Sequence, residues 1–296
     1  MNLSDTLSIA LQAIGRNKLR SFLTALGIII GVASVVAMVQ LGQSATLAVT
    51  EQIASIGSNL LFVSPGTTRR GPGGVNVAAE PFEMADVQAI RDEIQGARVA
   101  PAAIRPATAV YGNANQTVSV TGTTNEYFEV RNHDVVEGSR FAESELSSGA
   151  AVCIIGATLV DELYLGQDPL GTLLRINRTA CRVIGVLETK GSSMGQDPDK
   201  TLLMPIKAAQ RRVVGSLDVH TIFVSAISDG TTARVKADIE SLLRQRRHIA
   251  QGHEDDFNVF DTQDVVEALE QTTGTLTVFL GAIAAVSLLV GGIGIM

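Results

Sequence analysis

Two long apolar runs bracket the chain, and shorter patterns of strand and helix length fill the space between them. Phe22–Leu41 reads FLTALGIIIGVASVVAMVQL, with only Thr24, Ser34 and Gln40 polar. Twenty residues at about 1.5 Å each span about 30 Å, the thickness of a bilayer core. A cleaved signal peptide would have a shorter apolar region, roughly 7–15 residues, and a small-x-small cleavage site. The second run, Leu276–Met296, reads LTVFLGAIAAVSLLVGGIGIM, with Thr277 and Ser287 as its polar residues. Both runs predict membrane-spanning helices. Arg16, Lys18 and Arg20 precede the first, and the first charge after it is Glu51. Positive flanks stay inside, so the N-terminus is predicted to be cytoplasmic and the central region extracytoplasmic. Before the first run, Leu3, Leu7, Leu11 and Ile14 recur at helical spacing. That pattern predicts an amphipathic helix over residues 1–21, lying along the inner membrane surface.

The first helix is predicted to continue outward to Gly57, because Leu47, Ile53 and Ile56 keep its period. A buried strand follows at Leu60–Ser64, then a mobile loop over Thr67–Ala79, where Gly and Arg are frequent. A helix is predicted over Glu83–Ile94. Strands are predicted at Arg98–Pro101, Ala107–Tyr111 and Thr117–Thr121, the last with Val118 and Val120 facing inward. AVCIIG at Ala151–Gly156 and RVIGVL at Arg182–Leu187 read as buried strands, with a helix at Ala157–Leu165 between them. The last third predicts strand Leu202–Met204, helix Pro205–Val214, strand Thr221–Ala226, helix Thr231–Arg247 and strand Phe257–Phe260. A helix from about Thr262 then runs unbroken into the second apolar run. The fold class is α+β: a mixed α/β extracytoplasmic domain inserted between two transmembrane helices and preceded by the amphipathic N-terminal helix.

Composition sharpens this division. The chain is 46% hydrophobic with a mean hydropathy of +0.25, yet 18% of its residues are charged. No charge lies between Ser21 and Thr50 or between Gln271 and Met296. The net charge is −7, and the stretch Gly42–Gly274 alone carries −9. An acidic outer domain is a poor partner for nucleic acid. Cys153 and Cys181 are the two cysteines; they either pair in an oxidising compartment or serve as small buried hydrophobes.

Catalytic signatures are missing. The chain has no G-x-x-x-x-G-K-[ST], and Gly71-Pro-Gly-Gly lacks the lysine and following helix that would cradle a phosphate. There is no G-x-S-x-G and no H-E-x-x-H. His253-Glu254-Asp255-Asp256 is the one cluster of metal-capable side chains, and it lacks an ion-binding loop's spacing, so it reads as a solvated acidic loop. Arg244, Arg246, Arg247 and His248 read as the positive end of a helix. No catalytic residue, cofactor or metal site is predicted. Neither apolar run carries an ionisable residue, which argues against a channel or a proton-coupled carrier. Two helices are also too few to enclose a path across a bilayer. Gly27 and Gly31 lie four apart in the first run, and Gly291, Gly292 and Gly294 crowd the second. These five are the predicted sites of close helix packing in the membrane.

The residues also resemble a family. RNKLRSFLTALGIIIGV at Arg16–Val32, IGSNLLFVSPG at Ile56–Gly66, VTGTTNEYFEVRN at Val120–Asn132 and GQDPLGTLLRIN at Gly166–Asn177 carry the likeness. So do VIGVLETKG at Val183–Gly191, LLMPIKAAQRRVVG at Leu202–Gly215, DDFNVFDTQD at Asp255–Asp264 and LLVGGIGIM at Leu288–Met296. In order and spacing the chain resembles the transmembrane subunit of MacB-type ABC transporters, related to FtsX and the lipoprotein-releasing LolC and LolE. The resemblance implies a bacterial inner-membrane protein with a periplasmic domain. It implies a porter-like part, 42–106 and 202–273, and an inserted strand-rich part, 107–201, held between spans at 22–41 and 274–296. It implies a homodimer in membrane lipid, driven by a separate cytoplasmic ABC ATPase. Its periplasmic domain would then move a substrate such as an antibiotic, peptide or lipoprotein by mechanotransmission, with a periplasmic adaptor and an outer-membrane duct as further partners. Family members carry four spans, and the second span here reaches Met296 without a basic flank, so the natural protein is expected to continue. The competing readings are a two-span sensor with a periplasmic ligand-binding domain, which would need a cytoplasmic output domain, and an anchored periplasmic enzyme, which the missing signatures disfavour.

Overall fold

The computed structural model describes residues 18–56, 59–70, 75–191, 197–228 and 230–295. It divides into a helical unit, residues 1–51 and 264–296, and an outer unit, residues 52–263.

The helical unit is built from α1 (Lys18–Ile56) and α8 (Thr262–Ile295), whose far ends pass into the outer unit. Apolar residues ring α1 on all sides, which removes any preference for a single buried face. Leu19, Phe22, Ile29, Ile30, Val36 and Leu47 are exposed, as are Val278, Phe279 and Val286 on α8. Among the described residues one stretch, Ala25–Thr50, is long and apolar enough to cross a membrane. It starts three residues after the expected span at 22–41 and runs on past it, because no charge interrupts the helix before Glu51. Serine and threonine inside the helices return their hydroxyls to the preceding turn, as Ser34 donates to the Ile30 carbonyl at 2.7 Å. The expected amphipathic helix over 1–21 lies outside the described residues up to position 17, and Met296 lies outside them too.

The outer unit is organised by one mixed sheet of ten strands. The strands are β1 (Leu60–Pro65), β4 (Ala97–Tyr111), β5 (Ala114–Thr123), β6 (Val135–Gly138), β7 (Val152–Ile155), β8 (Leu173–Ile176), β9 (Thr179–Leu187), β10 (Thr201–Pro205), β11 (Thr221–Ala226) and β12 (Phe257–Asp261). Their order is β12-β1-β11-β4-β5-β10-β7-β9-β6, with β8 beside β4 and β9. The β5–β10 and β7–β9 pairs are parallel, and the others are antiparallel.

Three clusters of buried side chains hold the sheet. On one face, α2 (Met84–Glu93) and α7 (Thr232–Arg246) bring Val87, Ile90, Ile239 and Leu243 onto Leu61, Val63, Ile222 and Val224. Further along, α5 (Ala157–Tyr164) and α6 (Ile206–Ala209) cover Val118, Val120, Leu174 and Val183. The third cluster joins Tyr127 and Phe128 of α3 (Glu126–Val130) to Ala100, Ile154, Leu203 and Phe223. Phe141, just before α4 (Glu143–Ser148), completes it. The predicted strands alternate as expected: Val118 and Val120 are buried while Thr117 and Ser119 are exposed.

Three expectations are corrected. The segment Thr67–Ala79, expected as a mobile loop, contains an antiparallel hairpin of β2 (Thr67–Arg70) and β3 (Val75–Ala78). β-Branched Thr67, Thr68, Val75 and Val77 favour extended backbone, which outweighs the Gly and Arg count. The two strands expected on either side of Pro106 are one strand, β4. Pro101 lies before β5 pairing begins at Ala103, and Pro106 lies where only β5 pairs with β4. Each proline therefore sits in a one-sided stretch of ladder, where a missing N–H is tolerated. The helix expected over Pro205–Val214 widens after α6 into a π-helical turn, Gln210–Val214, closed by Gly215 N–H donating to the Gln210 carbonyl at 2.8 Å. Gln210 is buried and spends its side-chain amide on the Leu217 carbonyl at 2.6 Å, which fixes the turn beyond it.

The cysteine question is settled in favour of pairing: Cys153 on β7 and Cys181 on β9 form a disulfide with Cα atoms 5.8 Å apart.

Candidate functional site

The two helices of the helical unit meet where no sequence pattern pointed. Gly42 is buried, and a Cβ added to it would lie 2.4 Å from Thr273 Cγ2, inside van der Waals contact. Val49, two turns further on, is buried as well. By contrast Gly27 is exposed, and a Cβ there would meet nothing within 4 Å. Gly31 is half-buried, and Gly291, Gly292 and Gly294 lie on the α8 backbone with their surroundings outside the described features. Gly42 escaped the sequence reading because it lies beyond the expected span and Thr273 is an unremarkable polar residue of a QTTG run.

Chain connectivity at the other end of these helices is more telling. α1 ends at Ile56 and β1 starts at Leu60, while β12 ends at Asp261 and α8 starts at Thr262. β1 and β12 are antiparallel neighbours at the sheet's end, with Leu61 opposite Asp261 and Phe62 opposite Phe260. Asp261 and Thr262 are both buried, and the Thr262 hydroxyl donates to the Leu60 carbonyl at 3.4 Å. The strands continuous with the two long helices are thus cross-linked to each other by a shared ladder.

The arginines at the end of α7 and the acidic residues after them serve as ties. Arg244 pairs with Asp255, Arg246 with Asp86 at 2.9 Å and Arg247 with Asp256 at 2.7 Å. The His253–Asp256 cluster therefore spends two carboxylates on arginines of the neighbouring helix end. His248 takes a left-handed conformation just past that helix. Arg69 and Arg70 lie in β2, with side chains outside the described features.

A second set of ties was invisible in the sequence. The Asp199 carboxylate is buried and accepts backbone N–H bonds from Lys190 and Gly191 at 2.9–3.0 Å. A Cβ on Gly156 would fall 2.0 Å from the Asp199 carbonyl, so only glycine admits this approach. His133 is buried beside this clasp and donates from Nε2 to the Glu188 carbonyl at 2.9 Å. Burial holds the His133 pKa below its usual value, and the nearby Lys190 and Arg131 charges push the same way. Lys190 is likewise shifted down, chiefly by burial.

Comparison with known proteins places this architecture. The MacB-like periplasmic core domain family matches residues 21–242. The chain belongs to this family. A MacB protein of Bdellovibrio bacteriovorus, described as a macrolide export ATP-binding/permease protein, is 35% identical over 96% of the chain and 44% of its own length. A PvdT protein of Pseudomonas entomophila, described as a pyoverdine export ATP-binding/permease protein, is 38% identical over 97% of the chain and 43% of its own length. The chain thus spans less than half the length of these MacB-type relatives. The periplasmic region of MacB from Actinobacillus actinomycetemcomitans shares the fold, with a TM-score of 0.60 and 19% identity over 75% of this chain and 97% of that one. The extracellular domain of the transporter YknZ from Gram-positive bacteria gives a TM-score of 0.55 at 19% identity, over 68% and 100%. The expected α+β MacB-like architecture, with its apolar N-terminal helix and periplasmic domain, is what the chain has.

Proposed function

We propose that this chain is the permease portion of an ABC-type exporter of the bacterial inner membrane, passing ATP-driven motion from a cytoplasmic ATPase to its periplasmic domain. The observation that carries this reading is the β1–β12 ladder. The strand after α1 and the strand before α8 are adjacent, so displacement of either helix loads the same two hydrogen-bonded strands. A packed sheet transmits such displacement because its interior is close-packed and resists deformation. The relatives' ATP-binding/permease descriptions support the ATPase partner, and their macrolide and pyoverdine export descriptions support efflux of a substrate of that kind.

In this reading α8 is a second span and the protein is multi-pass. A second copy packs through the open face at Gly27. A periplasmic adaptor and an outer-membrane duct receive the cargo. The division into a porter-like part, 42–106 and 202–273, and an inserted part, 107–201, draws support from the buried clusters. One cluster combines residues of both chain ends, Leu61 to Ala103 and Ile206 to Val259, and another lies almost wholly within Ala107–Met204.

The test is to insert a flexible Gly-Ser-Gly segment between Asp261 and Thr262 in the protein assembled with its ATPase. Export should fall while ATP hydrolysis and folding persist. Undiminished export would refute transmission through this joint, and failure of any ATPase to co-purify would refute the exporter reading.

A further inference from the structure

Three phenylalanines form one cross-strand row on the face of the sheet opposite α2 and α7. Phe260 on β12 lies opposite Phe62 on β1, and Phe62 lies opposite Phe223 on β11. Residues directly opposite in a ladder share a face. Exposure rises along the row, from Phe223 at 6% through the half-buried Phe62 to Phe260 at 52%. Phe62 and Phe223 meet edge to face, with centroids 5.5 Å apart. Arg131, at the end of α3, lays its guanidinium over both inner rings, 5.0 Å from the Phe223 centroid and 5.7 Å from the Phe62 centroid.

What marks this arginine is an unpaired edge combined with burial. Arg91, Arg98, Arg140, Arg244, Arg246 and Arg247 each hold a carboxylate, whereas Arg175, Arg178, Arg182, Arg211 and Arg212, which hold none, are exposed. Arg131 is half-buried, and its guanidinium makes no ion pair or side-chain hydrogen bond among the described residues, although the outer unit is acidic. Phe62 and Phe223 stand 79° apart, so the guanidinium can lie flat on one ring at most; contact with ring faces uses no N–H donor, and its five donors stay available to a ligand. A planar cation with free donors, next to a ring left open at the row's end, matches a ligand that has an anionic group attached to an apolar body.

We propose that Arg131, Phe62 and Phe260 form a binding subsite for an amphipathic anion, in which Arg131 holds a carboxylate or phosphate and Phe260 supports the adjoining apolar part. Such an anion is either a free amphiphile or the headgroup end of an acidic phospholipid. That it is export cargo rests on the function proposed above; that it binds does not.

The test uses the full chain in lipid nanodiscs, titrated with 2-naphthoate and its neutral isostere 2-naphthamide and followed by saturation-transfer NMR. Naphthoate should bind saturably and more tightly than the amide. Arg131→Met keeps the apolar stem and removes the charge, and should raise the apparent Kd about tenfold or more, the loss of one charge-assisted hydrogen-bonded contact. Phe260→Ser, at an exposed position on the edge strand β12, should weaken binding severalfold while leaving the thermal midpoint near that of the wild type. In phosphatidylcholine discs containing phosphatidylglycerol, suppressed naphthoate binding identifies the headgroup as the natural occupant, and unchanged binding identifies a free amphiphile. Absence of saturable naphthoate binding, equal affinity for the amide, or wild-type affinity in both variants would overturn the subsite. None of these readouts requires the ATPase, so their failure leaves the exporter reading standing.

Discussion

Gly42 on α1 faces the γ-methyl of Thr273 on α8 with no room for a Cβ between them. Alanine at position 42 must displace Thr273 or part the helices, and overpacking of this kind costs about 1–3 kcal/mol. Gly42→Ala should therefore lower the thermal midpoint of the detergent-solubilised chain. Thr273→Ser removes the opposing methyl and should restore it in the double variant. Additive losses in the double variant would show that the two helices do not meet there.

The Cys153–Cys181 disulfide closes 28 residues between two neighbouring strands of the second buried cluster. Loop-closure entropy for a cross-link of this length contributes about 3–4 kcal/mol. Cys153→Ser or Cys181→Ser should lower domain stability by about that much in denaturant melts. The membrane-extracted wild type should show no free thiol under alkylation until it is reduced. Full alkylation without reductant would place these residues in a reducing compartment.

Much of the fold was legible because it rests on local patterns. The apolar run from Phe22, the alternation at Val118 and Val120, and the amphipathic spacing at Val87 and Ile90 each encode one element. What was missed depends on partners distant in sequence. Gly42 and Thr273 are 231 positions apart and carry no mutual signal. Asp199 resembles any acidic turn residue until the Lys190 and Gly191 amides are seen to point at it. The Arg131 stack exists only because Phe62 and Phe223, far apart in sequence, are aligned by strand register. At β2–β3 the Gly and Arg content suggests a loop, but β-branched Thr67, Thr68, Val75 and Val77 decide for a hairpin.

His133 is buried with its pKa held below 6.5, mainly by loss of solvation. The unfolded chain then binds more protons than the folded one as pH falls below the unfolded value. The stabilising contribution is complete above pH 6.5 and is lost as pH drops toward the folded pKa. The outer unit should melt at progressively lower temperature between pH 7.5 and pH 5. His133→Gln keeps a donor for the Glu188 carbonyl and should flatten that dependence; an unchanged slope would assign it to other groups.

Two arginines on α7 and its end should differ sharply in worth. Arg234 pairs with Asp238 one turn away, and its side chain is 82% exposed. Such a pair contributes only about 0.3–0.5 kcal/mol, so Arg234→Met should be nearly silent. Arg247 is 12% exposed, bonds Asp256 at 2.7 Å, donates to the Glu80 carbonyl at 2.9 Å and stacks 4.6 Å from the Phe82 centroid. The Asp256 carbonyl in turn accepts the Gly66 N–H that anchors the base of the β2–β3 hairpin. Arg247→Met keeps the stem over Phe82 but strands the Asp256 carboxylate, which is itself 23% exposed. Breaking a buried pair in this way should cost roughly 3 kcal/mol, the lower end of the range because solvent reaches the carboxylate. Asp256→Asn in the same background removes the stranded charge and should recover part of the loss. Equal chemical-denaturation midpoints for the Arg234 and Arg247 variants would mean that the pair at the hairpin's base is as well solvated as the one on the open helix.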